Sequence, residues 1–160
     1  MLPRFDIDVD GVVAALKVAG QNLGQHLPLA LELGADLVAA EAKQTHTYKD
    51  RTGLLTNSIA RAPIEGSFDG QDLQCTVAAG APYGVFVELG TRPHKIKPKY
   101  RRALRWPAEG GFAFAKEVDH PGTQPTFFIR RAVESQFLQV QQLLQDATEL
   151  SFAEAGFEVT

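Results

Sequence analysis

The sequence predicts a single α+β domain, in which a long N-terminal helical region and a C-terminal helix pack on a small, mostly antiparallel sheet made of two hairpins. Apolar residues recur with helical spacing near both ends of the chain, and they alternate with polar residues in the middle. A length of 160 residues and a hydrophobic content of 44% suit one domain with a core. We therefore assign residues 1–160 to one domain, with a helical lead-in at 11–45, a sheet and basic segment at 58–118, and a C-terminal helix at 126–155.

The helical lead-in follows a short alternating stretch. Phe5, Ile7 and Val9 alternate with three aspartates, which fits either a short strand or a charged terminus without regular structure. From residue 11 the apolar positions follow helical spacing. Gly24 and Pro28 predict a break near 24–28, with Pro28 opening a second helix that extends to about residue 44.

Two hairpins form the predicted sheet. The first pairs a strand at 58–64 with a strand at 73–79, where Cys75 lies on the apolar side as a packed, unreactive thiol. The second pairs 102–106 with 112–118 through a glycine-rich turn at 107–111. A type II turn is expected at 119–123, with Pro121 and Gly122 at its centre. Thr126 is expected to cap the last helix and Gly156 to end it.

A short helix at 82–89 is expected between the hairpins. Pro82 suits the first helical position, and Tyr83 and Phe86 then share one face. Gly90 is expected to end the helix in the left-handed conformation, and Pro93 prevents the helix from continuing. An extended, positively charged segment follows.

The charge distribution is uneven, although the net charge is only −3. Residues 92–105, which we call the basic segment, contain seven cations and no acid. The rest of the chain carries nine cations and 19 acids, a net charge of −10. The basic segment could bind an acidic protein surface, contact nucleic acid or remain a solvated loop. Its few aromatic residues favour a protein surface over nucleic acid, because stacking on bases needs more of them.

Cysteine usage and hydropathy indicate the compartment. Cys75 is the only cysteine, so no internal disulfide can form, and a reducing compartment fits. The first ten residues lack the apolar core of a signal peptide, and no run of 18 apolar residues occurs. We therefore expect neither a signal peptide nor a membrane span.

The sequence predicts no catalytic, metal or cofactor site. The four histidines do not match the spacing of known metal-ligand motifs. Glu88, His94 and His120 could nevertheless converge, which is the basis of the alternative interpretation as a small metal-dependent nuclease or hydrolase. Glu88 has a simpler interpretation, because an acid at a helix C-terminus is expected to pair with a cation, either Arg92 or one from a neighbouring subunit.

Three segments resemble a known protein family. The segment "YGVFVELGTRPHKIKP" is similar to the signature of the neck and tail-completion proteins, which join heads to tails in tailed phages and prophages. The matching positions are Tyr83, Glu88, Gly90, Thr91, Pro93 and His94, whereas Leu89 replaces the usual aromatic residue. The segments "RTGLLTNSI" at 51–59 and "HPGTQPTFFIRRAV" at 120–133 resemble the family in the same chain order.

The resemblance implies a structural role without turnover. The protein would form a homo-oligomeric ring that joins the tail tube or terminator to the head-closure or connector proteins, at the head–tail junction of the virion. It would assemble in the bacterial cytoplasm without a cofactor, and it could touch genome DNA in the channel. Tail-terminator and head-closure proteins remain alternatives, because they share size and oligomeric habit.

Two sets of residues follow from this interpretation. The candidates for assembly contacts are Tyr83, Glu88, Thr91, Arg92, His94, Lys95, Lys97, Lys99, Arg101 and Arg102. The candidates for structural turns and caps are Gly53, Gly90, Pro93, Pro121 and Gly122.

Overall fold

A computed structural model describes residues 9–68 and 72–158 of the chain. The helices are α1 (Val9–Gln44), α2 (Leu54–Asn57), α3 (Gly84–Leu89) and α4 (Phe128–Glu154). The strands are β1 (Ile59–Arg61), β2 (Val77–Ala79), β3 (His94–Ile96), β4 (Leu104–Ala108), β5 (Gly111–Ala115) and β6 (Val118–His120). The predicted α+β class is confirmed. The strand considered at 5–9 falls outside the described residues except for Val9, which begins α1.

Helices α1 and α4 form an antiparallel pair with small residues at their interface. The buried residues of α1 are Ala19, Ala30, Gly34, Ala35, Val38, Ala39 and Ala42. Gly34 faces Val140 so closely that an added Cβ would lie 2.9 Å from a methyl carbon of Val140. The small side chains of α1 therefore let the two helix backbones approach each other.

The predicted break near Pro28 is wrong, because α1 is one helix of 36 residues that passes through this proline. A proline inside a helix removes one backbone hydrogen bond and favours a kink. Packing of α1 on α4 extends to both sides of Pro28: Ala19 is buried before it and Ala30 after it. Tertiary packing of this kind supplies most of the stability of a helix in a protein, so it can outweigh one lost bond.

The first hairpin is confirmed, although its strands are shorter than expected. β1 and β2 are antiparallel, with Ile59 opposite Ala79, and an isolated bridge between Glu65 and Gln74 extends the pairing. Alternate residues of 73–79 are half-buried and exposed, as the sequence predicts. Cys75 is half-buried, and burial raises the pKa of its thiol, which fits an unreactive side chain.

The second hairpin is also confirmed, since β4 and β5 pair antiparallel from Leu104–Ala115 to Ala108–Gly111. Its turn is shorter than the predicted 107–111, because β4 continues to Ala108, and Val118 belongs to β6 rather than to β5. The sequence did not predict the pairing of β3 with β6, which places His94 opposite His120. The pairs β1–β2, β3–β6 and β4–β5 are three separate two-stranded sheets within the described residues, rather than one sheet.

The hydrophobic core lies between the helix pair and the first hairpin. Its buried members are Val38, Ala39, Ala42, Leu55, Ile59, Ala81, Phe128 and Ala132. None of the described residues from 85 to 127 is buried. Residues 92–120, which contain β3 to β6 and which we call the β arm, therefore stand outside the core.

Candidate interaction site

The β arm is attached to the body where two chain segments cross at its base. The backbone amides and carbonyls of Thr91 and Thr123 exchange hydrogen bonds of 3.0 and 3.1 Å. Gly90 and Gly122 flank this bridge with φ values of 71° and 87°. A Cβ on Gly90 would lie 2.4 Å from the Thr123 carbonyl oxygen, and one on Gly122 would lie 2.2 Å from that of Thr91. Only glycine accommodates both the conformation and the contact.

The conformation of Gly90 differs in one respect from the expected helix cap. Its ψ of −177° is extended, so Gly90 turns the chain out of α3 without adopting the left-handed helical conformation. Pro93 and Pro121 lie on the two segments that cross here, next to Arg92 and His120.

Glu88 caps helix α4. Its two carboxylate oxygens accept hydrogen bonds of 3.1 Å from the backbone amides of Ile129 and Arg130. A negative charge at a helix N-terminus satisfies otherwise unpaired amides and interacts favourably with the helix dipole. The expected ion pair with Arg92 is replaced by this contact, which no local pattern could reveal because the partners are 41 and 42 residues away.

The predicted cap by Thr126 is also wrong, because its hydroxyl binds a residue that is distant in the chain. The hydroxyl of Thr126 donates to the carbonyl oxygen of Val87 over 2.9 Å, and Phe127, with φ 50°, occupies the cap position. The backbone amide of Phe127 also donates to the Glu88 carbonyl oxygen. The end of α3 and the start of α4 are therefore joined by both backbone and side-chain hydrogen bonds.

A groove of about 800 Å³ lies at the base of the arm. Tyr48, Tyr83 and Phe86 line its apolar part. Arg92 and His94 lie at its polar part, so the structure brings four of the assembly candidates (Tyr83, Thr91, Arg92 and His94) to one groove. A largely apolar groove with a few polar groups is typical of a binding surface.

Two histidines stand side by side in this groove. The rings of His94 and His120 lie 5.1 Å apart between centroids. Nδ1 of His94 donates to the Arg92 carbonyl oxygen over 2.9 Å, whereas Nδ1 of His120 accepts from the Gly122 amide over 3.0 Å. Within residues 9–68 and 72–158, no group of three or more His, Cys, Asp or Glu side chains is placed to hold a metal ion.

Part of the basic segment is neutralised inside the chain. Nζ of Lys95 lies 2.6 Å and Nζ of Lys97 lies 3.0 Å from the carboxylate of Glu117. Hydrogen bonds from Lys95 and Lys97 lower the pKa of Glu117. Lys95 also lies 3.7 Å from Asp119. Lys95 and Lys97 therefore form ion pairs beside the β3–β6 pair, so their charges are partly neutralised before any partner binds.

The cations that follow Lys97 in the loop between β3 and β4 do not form ion pairs of this kind within the described residues. Lys99, Arg101 and Arg102 have no carboxylate within ion-pair distance in the part of the chain that the structure describes. Lys99 lies 5.3 Å from the ring centre of Tyr100. These three side chains are therefore available for electrostatic contact with another molecule.

Exposed aromatic residues of the arm were missing from the sequence-based candidates. Phe112 and Phe114 expose 54% and 66% of their surface, and Trp106 exposes 39%. Arg105 lies opposite Phe114 in the pairing, and its guanidinium carbon lies 3.5 Å from the ring centre of Phe112. The alternation of Phe112 and Phe114, which places both rings on one face of the strand, was the available signal.

Gly53 belongs to a loop that is linked to the groove residue Tyr48 by hydrogen bonds. Asp50 accepts hydrogen bonds from the Gly53 amide over 2.7 Å and from the hydroxyl of Thr56. The hydrogen bond from Thr56 is the main reason that the pKa of Asp50 is lowered. Thr56 also lies 2.9 Å from the hydroxyl of Tyr48, which lines the groove.

Comparison with known proteins adds no relative to this picture. The chain matches no protein family, no curated protein and no solved structure. Among the helices of the described residues, none combines the length and the apolar character that crossing a membrane requires.

Proposed function

We propose that this protein is a structural virion component of a tailed phage or prophage, which joins the tail to the head connector as a ring of identical subunits. The observation that carries the proposal is the exposed β arm, which presents unneutralised cations and aromatic rings beside an otherwise acidic body. The resemblance of residues 51–59, 83–98 and 120–133 to the neck and tail-completion family supports the same role.

The exposure of the arm favours an assembly function. An isolated two-stranded hairpin is only marginally stable in water, and exposed aromatic rings on such a hairpin mark a contact surface. In the β4–β5 hairpin, Trp106, Phe112 and Phe114 are all exposed. A partner that covers these rings would stabilise the hairpin and supply binding energy.

The division of charge suits a closed ring. A ring of identical subunits needs a head-to-tail interface, in which one surface complements a different surface of the next copy. A basic arm and an acidic body are two such surfaces. In this role the protein also contacts the tail tube or terminator on one side and the head-closure or connector proteins on the other. It assembles in the host bacterial cytoplasm and remains at the head–tail junction.

Electron microscopy of lysates tests the location. A phage or prophage that lacks the gene should give filled heads beside separate tails, and a plasmid copy of the gene should restore joined particles. Tails with abnormal ends would instead place the protein at a tail-terminator position. Intact, joined particles without the gene would contradict the proposal.

Charge reversal tests the assembly. Replacing Lys99, Arg101 and Arg102 by glutamate should lower self-association and leave the monomer folded, because these side chains have no carboxylate partner among the described residues. Replacing Lys43, Lys49 and Arg51 by glutamate is the matched control, since it makes the same charge change on exposed positions outside the arm. Equal loss in both variants would show a general charge effect.

A metal-dependent hydrolase is the second candidate, because His94 and His120 lie side by side in the groove. Metal analysis of the purified protein, followed by hydrolase and nuclease assays of wild type, His94→Ala and His120→Ala, tests it. Stoichiometric metal with activity that both substitutions abolish would favour this candidate over the structural role.

A further inference from the structure

The first turns of α1 project beyond its partner helix. Two hydrogen bonds show where the end of α4 lies along α1. Nδ2 of Asn22 donates to the Ser151 carbonyl oxygen over 3.3 Å, and Nδ1 of His26 lies 3.0 Å from the Ser151 hydroxyl. Helix α4 ends at Glu154, whereas α1 continues towards Val9. None of the described residues 9–18 is buried, and they span about 15 Å of helix.

This projecting part has an apolar stripe. Val9, Val12, Val13 and Leu16 follow the i, i+3, i+4, i+7 spacing of one helix face. Their exposed fractions are 62%, 47%, 44% and 50%. Helices in proteins owe most of their stability to burial of such a face. The stripe therefore needs a partner that the described part of a single chain does not supply.

The C-terminal part of α4, which lies against the turns of α1 that follow the stripe, is acidic. The sequence contains no lysine or arginine after Arg131. The carboxylates of Asp146 and Glu149 accept hydrogen bonds from glutamine side chains of their own helix, at 2.7 and 2.8 Å. Neither has a lysine or arginine within ion-pair distance among residues 9–68 and 72–158. We call residues 9–18 and 146–158 the distal end.

The distal end and the β arm are complementary and far apart. The base of the arm is joined to the start of α4 through Glu88, and α4, with 27 residues, is about 40 Å long. One end of the molecule thus presents cations with exposed aromatic rings, and the other presents an exposed aliphatic stripe with five acids and one cation, Lys17.

We propose that the β arm of one copy docks on the distal end of the next copy. Apolar side chains of the β4–β5 hairpin would cover the stripe of α1, and the cations of the β3–β4 loop would pair with Asp146 and Glu149. A second copy is the occupant that fits, because opposite charge and exposed apolar surface occur together on both sides. The inference rests on the proposed ring and specifies which two surfaces form its repeating interface.

A charge exchange between two variants tests the contact. The first variant carries Arg101→Glu and Arg102→Glu, and the second carries Asp146→Arg and Glu149→Arg. Each alone sets like charges against each other, so its association constant should fall on the order of tenfold or more, as for close charge pairs at other interfaces. An equimolar mixture should associate again, because each contact then joins opposite charges. The chain with all four substitutions should also associate.

Sedimentation velocity at several protein and salt concentrations gives the association constants, and circular dichroism verifies that each variant is folded. Association of the wild type with rescue in the mixture supports the contact. Loss in the first variant without rescue by the second would overturn the inference, because the arm would then dock elsewhere, while the proposed function would stand. A wild type that stays monomeric at all concentrations would also overturn it.

The apolar part of the contact has its own test. Val12→Ser with Leu16→Ser should weaken association, because both side chains lie on the exposed stripe. Leu33→Ser with Leu138→Ser is the control, since these leucines also expose much of their surface, 58% and 76%, but lie on the helix pair away from the stripe and from Asp146. Equal effects of the two double variants would overturn the assigned position. Joined particles in the gene deletion, together with successful charge rescue, would refute the neck function and keep the interface.

Discussion

The helix pair and the β arm are stabilised in different ways. In the helix pair, Ala42 and Ala132 are fully buried, and even the polar Ser151 is buried with its hydroxyl donating to the Ala147 carbonyl oxygen. In the β arm, none of the described residues is buried. Burial therefore determines the stability of the body, whereas cross-strand hydrogen bonds, ion pairs and the glycines at the base hold the arm. Substitutions in the body should change global unfolding, and those in the arm should change local opening or association.

Removing a core side chain should give the largest effect. Ile59 is fully buried in the core between α1 and the first hairpin, so Ile59→Ala should lower the free energy of unfolding by about 2–5 kcal/mol. Phe114→Ala, at a ring that is 66% exposed, should change it by less than about 0.5 kcal/mol. Urea unfolding measures both. Equal losses of unfolding free energy in the two variants would mean that the arm unfolds cooperatively with the core.

A substitution at the base of the arm should come next. Gly90→Ala forces a side chain into a positive φ and against the Thr123 carbonyl oxygen, so it should cost about 1–3 kcal/mol from backbone strain alone. Faster hydrogen exchange at the Thr91 and Thr123 amides would report the opening. Gly110→Ala, at φ 82° with no atom within 4 Å of the added Cβ, is the control for strain without collision. Unchanged exchange in Gly90→Ala would contradict the close crossing at the base.

The cap supplied by Glu88 should have a smaller effect. Glu88→Gln removes the charge that faces the start of α4 and should cost about 1 kcal/mol. Glu134→Gln breaks an exposed pair with Arg130 and should cost about 0.5 kcal/mol or less. Thermal unfolding compares the two variants. A larger loss in Glu134→Gln would argue against the capping role.

The smallest predicted effect is the pH dependence of the ion pairs that Glu117 forms in the β arm. The lysine contacts lower the pKa of Glu117 in the folded chain, so their contribution is present above the ordinary range of a glutamate and is lost as the pH falls through the lowered pKa. Backbone NMR signals of β3 and β6 should change over this range, while global unfolding scarcely responds, because Glu117 lies on the exposed arm. In Glu117→Gln this dependence should disappear. An identical pH response in that variant would assign the titration to another group.

Much of the fold could be predicted from local patterns. The C-terminal helix was expected at 126–155 and spans Phe128–Glu154, because its apolar residues follow helical spacing over many turns. The two hairpins followed from alternation and turn glycines. The body of α1 was also expected, but Pro28 was overinterpreted, since a local rule for proline ignores the packing of α1 on α4.

The candidate site was predicted only in part. The sequence indicated the basic segment and the motif around Tyr83 to His94, which the structure brings to one groove and one arm. It did not distinguish Lys95 and Lys97, which pair with Glu117, from Lys99, which has no carboxylate partner among the described residues. That difference depends on the pairing of β3 with β6, whose residues are far apart in the chain.

The sequence by itself therefore determined α3, α4, the two hairpins and the separation of charge, because these depend on the period or the charge of neighbouring residues. Tertiary structure alone decided that Glu88 caps α4, that His94 faces His120 across two strands, and that α1 continues through Pro28. These features depend on contacts between residues tens of positions apart. The energy of such contacts depends on the folded geometry, so it leaves no periodic signal in the chain.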